Sequence, residues 1–274
     1  MTDTQIDNNN IAGAHDSCPG MFSVHYFLTA AECDARGEMP LWLIAERLIE
    51  VATCHANQLG IGYADLMPLN LAWVLTRLNI DIRRQPHINE AYNITTWIST
   101  WSRHFSERCF RITDGKGETL AFARTIWAAI DIKERSAAEL TSIDARMEAY
   151  PDYECPVERL RSASPDAVHR HNAITYGYID LDFNRHVNSA RHIGHIVNQW
   201  PAWFYEDHRI SNFEIVYRQE AHADQTVDLD ISEWVGNCAS VSVERKGQRI
   251  VTANIRFANA AAYTSPEELA PVRQ

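Results

Sequence analysis

Residues 178–193 read YIDLDFNRHVNSARHI. Asp180, Asp182, Asn184, His186, Asn188 and His192 all fall in this stretch, between a strand-like run and an apolar helical pattern. Three chemistries fit such a set. Asp and Asn ahead of a helix can satisfy its free backbone N–H groups, which asks nothing of function. Asp182 and His186, with His192 or His195, could ligate a metal. No HExxH or CxxC pattern accompanies them and their spacing matches no metal signature, so no metal is expected. Asn184 and His186 could instead polarise a carbonyl at a helix N-terminus, with first-turn amides at residues 187–189 completing an oxyanion hole.

The chain supplies its own comparison, because its second half repeats its first. FSVHYFL reads as a strand. Leu41, Ala45, Leu48 and Ala52 then recur on one helical face, with Glu46, Arg47 and Glu50 opposite and Pro40 suited to the first turn. LAWVLTRLNIDIRR, YNITTWISTWS, SERCFRITD and TLAFARTIWAAIDI follow as strands, the last two joined by a hairpin turn at 114–117. In the second half AITYGYIDL is a strand, and NSARHIGHIVNQW is a helix with Ala190, Ile193, Val197 and Trp200 on one face. Four more strands follow. Asp34 matches Asp182, Arg84-Gln85 matches Arg218-Gln219, Gly117 matches Gly247 and Trp127 matches Phe257. If the polar residues only capped a helix, both copies would need them. The first copy keeps Asp34 but has Arg36 against Asn184 and Glu38 against His186. The Asn/His pair is particular to the second half, which favours a functional site there. His192 and His195 read as decoration of the helix, and Asp180 as a flank of the site.

A helix with an antiparallel sheet, occurring twice, implies an α+β architecture in which each sheet wraps its helix. The expected organisation is a disordered tail over 1–20, one unit over 21–148, a linker over 149–170, a second unit over 171–262 and a tail over 263–274. A short helix is expected near 136–149. The formal charge of −11 argues against nucleic-acid binding. No apolar run is long enough to insert in a membrane, and the first residues carry no secretory signal pattern. Six scattered cysteines without a CxxC read as reduced thiols in a cytoplasmic protein.

The sequence resembles acyl-ACP thioesterases of the plant plastid type and their bacterial relatives. The resemblance rests on LNLAWVLTRLNIDIRRQPHINEAYNITTWIS, ARTIWAAIDIKERSAAEL, DLDFNRHVNSARHIGHIVNQW and FEIVYRQEA, and spans about residues 21–260. The family's D-x-N-x-H-V-N motif is met by Asp182, Asn184, His186, Val187 and Asn188. Its Y-R-x-E segment is met by Tyr217, Arg218 and Glu220. Plant members often carry Cys after that Glu; here the residue is Ala221, which favours water as the nucleophile. The resemblance implies a tandem double hotdog that hydrolyses fatty acyl-[acyl carrier protein] without a cofactor. Glu220 would act as base, with His186; Asn184 would position water or bind the thioester oxygen, and Asp182 would hold the turn. Val187 and Asn188 would adjoin the substrate. The acyl chain would lie in the first unit, lined by Leu48, Val51, Ala52, Trp73 and Leu75. Arg185 and Arg191, bordering the motif, would meet the acidic carrier. An acyl-CoA thioesterase and a non-catalytic acyl-binding protein are the rivals. Tandem fusion leaves monomer and homodimer both open.

Overall fold

The computed structural model describes residues 14–15, 18–143, 146–157, 168–232 and 237–260. The expected tail over 263–274, most of that over 1–20 and the middle of the linker lie outside them. The first half runs β1 (Ala14–His15), β2 (Phe22–Phe27), α1 (Leu41–Gln58), α2 (Tyr63–Leu66), β3 (Leu71–Ile82), β4 (Ala91–Trp101), β5 (Phe105–Asp114), β6 (Thr119–Asp131) and β7 (Ser136–Ala137). The second runs β8 (Arg170–Thr175), α3 (Ser189–Val197), α4 (Phe204–Asp207), β9 (His208–Tyr217), β10 (Thr226–Ser232), β11 (Cys238–Arg245) and β12 (Gln248–Asn259). Each half is a helix on an antiparallel sheet, as expected.

The two sheets are one. Strand order is β1-β2-β4-β5-β6-β3-β9-β12-β11-β10-β8, and β3 and β9 join the halves edge to edge. Leu78 stands opposite Ile215, Asn79 opposite Glu214 and Ile80 opposite Phe213. Alternation then sends Leu78 and Ile80 into the core, while the Asn79 amide donates to Glu214 on the other face at 3.1 Å. One core cluster collects Leu48, Val51 and Ala52 of α1, Ile193 and Ile196 of α3, and the inward residues of both sheets. A smaller cluster gathers Ala56, Ile61, Leu66, Leu71 and Ile98 beyond the end of α1.

α1 buries Leu41, Ala45, Leu48 and Ala52, the face its spacing indicates. It ends where Gly60 takes φ +68° and Ile61 N–H reaches back to Ala56 O at 3.0 Å, a Schellman-type closure. Gly117 and Gly247 turn the matching hairpins at φ +88° and +75°. No helix of the described residues is long and apolar enough to cross a membrane.

Four expectations are corrected. α3 stops at Val197, short of Trp200, because Pro201 disfavours helix in the residues just before it. The strand expected over AITYGYIDL ends at Thr175 and gives way to a 3-10 turn, Tyr178–Asp180. The short helix expected near 136–149 is, among the described residues, a single 3-10 turn, Leu140–Ser142. There the Asp131 carboxylate accepts from Lys133 and Glu134 N–H, turning the chain back to pair β7 with β6, and Leu140, Ile143 and Met147 bury in the smaller cluster. Ala14–His15, in the expected tail, pairs with β2.

Candidate active site

The turn at residues 182–186 is built by Asp182. Its backbone N–H donates to His186 O at 2.8 Å, and its Oδ1 accepts from Asn184 N–H at 2.8 Å and His186 N–H at 3.1 Å. Arg185 takes φ +64° to close the loop. Phe183, Asn184 and Arg185 are left exposed, while Val187 drops into the core. Asn188 then caps α3, its Oδ1 accepting from Ala190 N–H at 2.8 Å.

Glu220 arrives from the end of β9. The N–H groups of Arg218 and Gln219 share one acceptor, Ile250 O, at 2.8 and 3.3 Å, and this irregularity lifts the chain off the sheet. Val187 N–H donates to Ala221 O at 2.7 Å and fixes the turn against that segment. His186 Nε2 and Glu220 Oε2 are thereby 3.4 Å apart, with the side chains 28% and 41% exposed. Arg135, from the first half, donates to the same Oε2 at 2.9 Å. His222 meets His186 edge to face, ring centroids 5.0 Å apart, and its Nδ1–H points to Arg185 O at 3.4 Å. The Asn184 amide has no hydrogen-bond partner among the described residues.

Behind the turn lies a buried polar layer. Asp180 Oδ1 meets His195 Nε2 at 2.8 Å, and its Oδ2 accepts from Gly177 N–H at 2.8 Å. Burial alone would raise the Asp180 carboxyl, but the Gly177 amide and His195 hold it below the usual range. Burial first, and the neighbouring His195 charge second, push His192 down to about 4. His192 shares a 2.9 Å hydrogen bond with the Tyr176 hydroxyl, so it does not decorate the helix: it is core.

The other expected residues separate. Leu48 and Ala52 lie in the main core beside Val51, whereas Trp73 packs on the smaller cluster and donates through Nε1 to Ile61 O at 3.0 Å. Arg185 stays exposed beside the site. Arg191 turns away to α1, its guanidinium 5.4 Å from the Trp42 ring and 3.9 Å from Glu46. The oxyanion amides expected at residues 187–189 are largely spent: Val187 N–H is bound to Ala221 O and Asn188 N–H to Asp180 O at 2.8 Å. Arg135 and His222 were not anticipated. The E-x-H spacing could have marked His222; nothing local marks Arg135.

The first repeat holds the same turn emptied of this chemistry. Asp34 Oδ1 accepts from Arg36 N–H at 2.8 Å and Glu38 N–H at 3.1 Å, and Gly37 supplies the positive φ. Met39 N–H binds Pro86 O at 2.9 Å where Val187 binds Ala221. Gln85 and His87 therefore stand where Glu220 and His222 do. The expected match of Arg84-Gln85 with Arg218-Gln219 is one residue out: Arg83 and Arg84 share Leu120 O as Arg218 and Gln219 share Ile250 O.

The family models of the acyl-ACP thioesterase N-terminal and C-terminal domains match residues 19–144 and 163–259. The chain belongs to the acyl-ACP thioesterase family. It is 25% identical over 222 residues to the chloroplastic palmitoyl-acyl carrier protein thioesterase of Gossypium hirsutum, covering 76% of this chain and 54% of that one. To the oleoyl-acyl carrier protein thioesterase of Coriandrum sativum it is 28% identical over 218 residues, covering 73% and 59%. The chain spans about half the length of the curated acyl-ACP thioesterases it matches. A crystal structure of an acyl-ACP thioesterase from Bacteroides thetaiotaomicron aligns at TM-score 0.81 and 28% identity, covering 87% of this chain and 98% of that one. The 12:0-ACP thioesterase of Umbellularia californica aligns at 0.78 and 18% identity, covering 90% and 99%, a likeness of fold. The double hotdog of the acyl-ACP thioesterases is thus the fold of this chain.

Proposed function

We propose that the chain hydrolyses the thioester of a fatty acyl group carried on acyl carrier protein, releasing the free fatty acid. The contact between His186 and Glu220 carries this reading, because it joins two motif halves from separate elements beside a solvent-open turn. Water attacks the thioester carbonyl as Glu220, paired with His186, takes its proton; the C–S bond breaks, and the same pair returns that proton to the leaving carrier thiolate. Apo contacts of this kind tighten when substrate binds. With the amides of Val187 and Asn188 already committed, the unpartnered Asn184 amide is the donor to the developing oxyanion. Asp182 positions both Asn184 and His186 through their backbones. The acyl chain runs along α1 past Leu48 and Ala52 towards Trp73. Arg185 is the cation offered to an acidic carrier. A cytoplasmic location belongs to the same reading, as do the two units and their limits.

Matched acyl-carrier and acyl-CoA thioesters test it. The wild type should favour the carrier-bound substrate, and Asn184→Ala and Glu220→Gln should each lose about 100- to 1000-fold in kcat while staying folded. Near wild-type turnover in both variants sinks the assignment. Preference for the CoA ester would support the acyl-CoA rival, and acyl binding without release the non-catalytic one.

A further inference from the structure

His186 and Glu220 carry the proposed chemistry, while His222 beside them has no part in it. Yet one ligating atom from each of His186, Glu220 and His222 lies within 4.8 Å of the other two. We propose that these three side chains bind one divalent transition-metal ion, Zn2+ foremost, and that the bound ion suppresses hydrolysis. The inhibition rests on the functional reading above; the site does not.

Two imidazoles and a carboxylate are a donor set for Zn2+, Ni2+ or Cu2+ rather than for Mg2+ or Ca2+, which require oxygen. At Zn–N and Zn–O distances of about 2.0–2.1 Å, tetrahedral ligand atoms stand roughly 3.3 Å apart. His186 Nε2 and Glu220 Oε2 are already 3.4 Å apart. The half-buried His222 offers a third donor within 4.8 Å of both, and a fourth position is left for water. Its Nδ1–H is turned to Arg185 O, the type of backbone partner that orients a ligating imidazole. Arg135 now occupies Glu220, but its side chain is 73% exposed and free to swing into solvent.

The first repeat is the internal control. There Gln85 replaces the glutamate and donates to Met39 O at 2.7 Å, while Glu38 is engaged by Arg209 at 2.7 Å. That copy cannot assemble the three donors. In the second copy the ion would take the His186 lone pair and the Glu220 carboxylate. Neither group could then take the proton of the water that the reading above places at the thioester carbonyl.

Metal-stripped wild type and His222→Ala are titrated with Zn2+ against a chromogenic chelator, after melting curves show both folded. The cysteines are the same in both chains, so the difference reports this site. One equivalent should be present in the wild type and at least tenfold weaker in the variant, with Mg2+ and Ca2+ not competing. Wild-type hydrolysis should fall at least tenfold as that equivalent fills and return with EDTA, whereas His222→Ala keeps its metal-free rate over the same range. Equal uptake by both chains overturns the site. A filled site with an unchanged or faster rate overturns the inhibition. Uptake that depends on His222, in a chain that cleaves no thioester in metal-free buffer, upholds the site and removes the functional reading instead.

Discussion

Asp34 and Asp182 make the same two bonds to the same backbone positions. Removing either carboxylate should therefore cost a similar amount, about 1–2 kcal/mol of stability. Only Asp182→Ala should also slow hydrolysis, because only its turn carries Asn184 and His186. Denaturant midpoints and initial rates on both variants check this; a rate loss in Asp34→Ala would refute it. A second residue-scale expectation concerns pH. Burial, with the Arg108 guanidinium donating to it at 2.6 Å, pushes His55 down to about 3, and His192 lies at about 4. The unfolded chain therefore binds protons below about pH 6.5 that the folded chain refuses. Stability should be full above that pH and fall below it by up to about 1.4 kcal/mol per pH unit for each histidine, towards pH 4. A thermal midpoint unchanged between pH 7 and 5 would contradict this. Asn184, His186 and Glu220 were legible in sequence because their types and spacing are themselves the signal. Two of the three expected oxyanion amides, those of Val187 and Asn188, are already bound, because the acceptors that claim them, Ala221 and Asp180, come from elements whose approach no local pattern encodes.

At the scale of elements, α1 was legible because eighteen residues repeat one apolar face and a glycine ends it. α3 was legible only in part: its apolar face continues to Trp200, but backbone sterics before Pro201 end the helix first. The turn ahead of each helix shows how one shape accepts different residues. Gly37 fills the positive-φ position in the first repeat and Arg185 in the second. A non-glycine residue there costs about 1 kcal/mol. Arg185→Gly should recover roughly that much in chemical denaturation. If Arg185 meets the carrier, the same change should raise KM for the carrier-bound substrate and leave the CoA ester unaffected. An unchanged KM ratio would remove Arg185 from the carrier surface.

At the scale of the molecule, the halves are held by the β3–β9 joint, by one shared core and by a clasp. Glu38 of the first half is 3% exposed and accepts from Arg209 of the second through Nε at 3.1 Å and Nη2 at 2.7 Å, with Arg36 Nε 3.4 Å away. Glu38→Ala strands a buried guanidinium and should cost about 3–5 kcal/mol, whereas Glu38→Leu with Arg209→Met should recover most of it. Equal losses in the single and double variants would show that the clasp is not coupled. The repeat itself was legible in sequence, but the clasp was not. Its two ends are ordinary charged residues far apart in the chain, and only the edge-to-edge pairing of β3 with β9 brings them together.

The clasp also sets a stoichiometry. Glu38 occupies the position that His186 holds in the other copy, so where the second repeat has the proposed reacting group the first has a mechanical one. A pseudo-symmetric body of two like halves should therefore turn over at one centre. An acyl analogue that traps the enzyme should titrate to a single equivalent per chain, and no graft of Asn, His and Glu onto the first turn can add a second without first releasing Arg209.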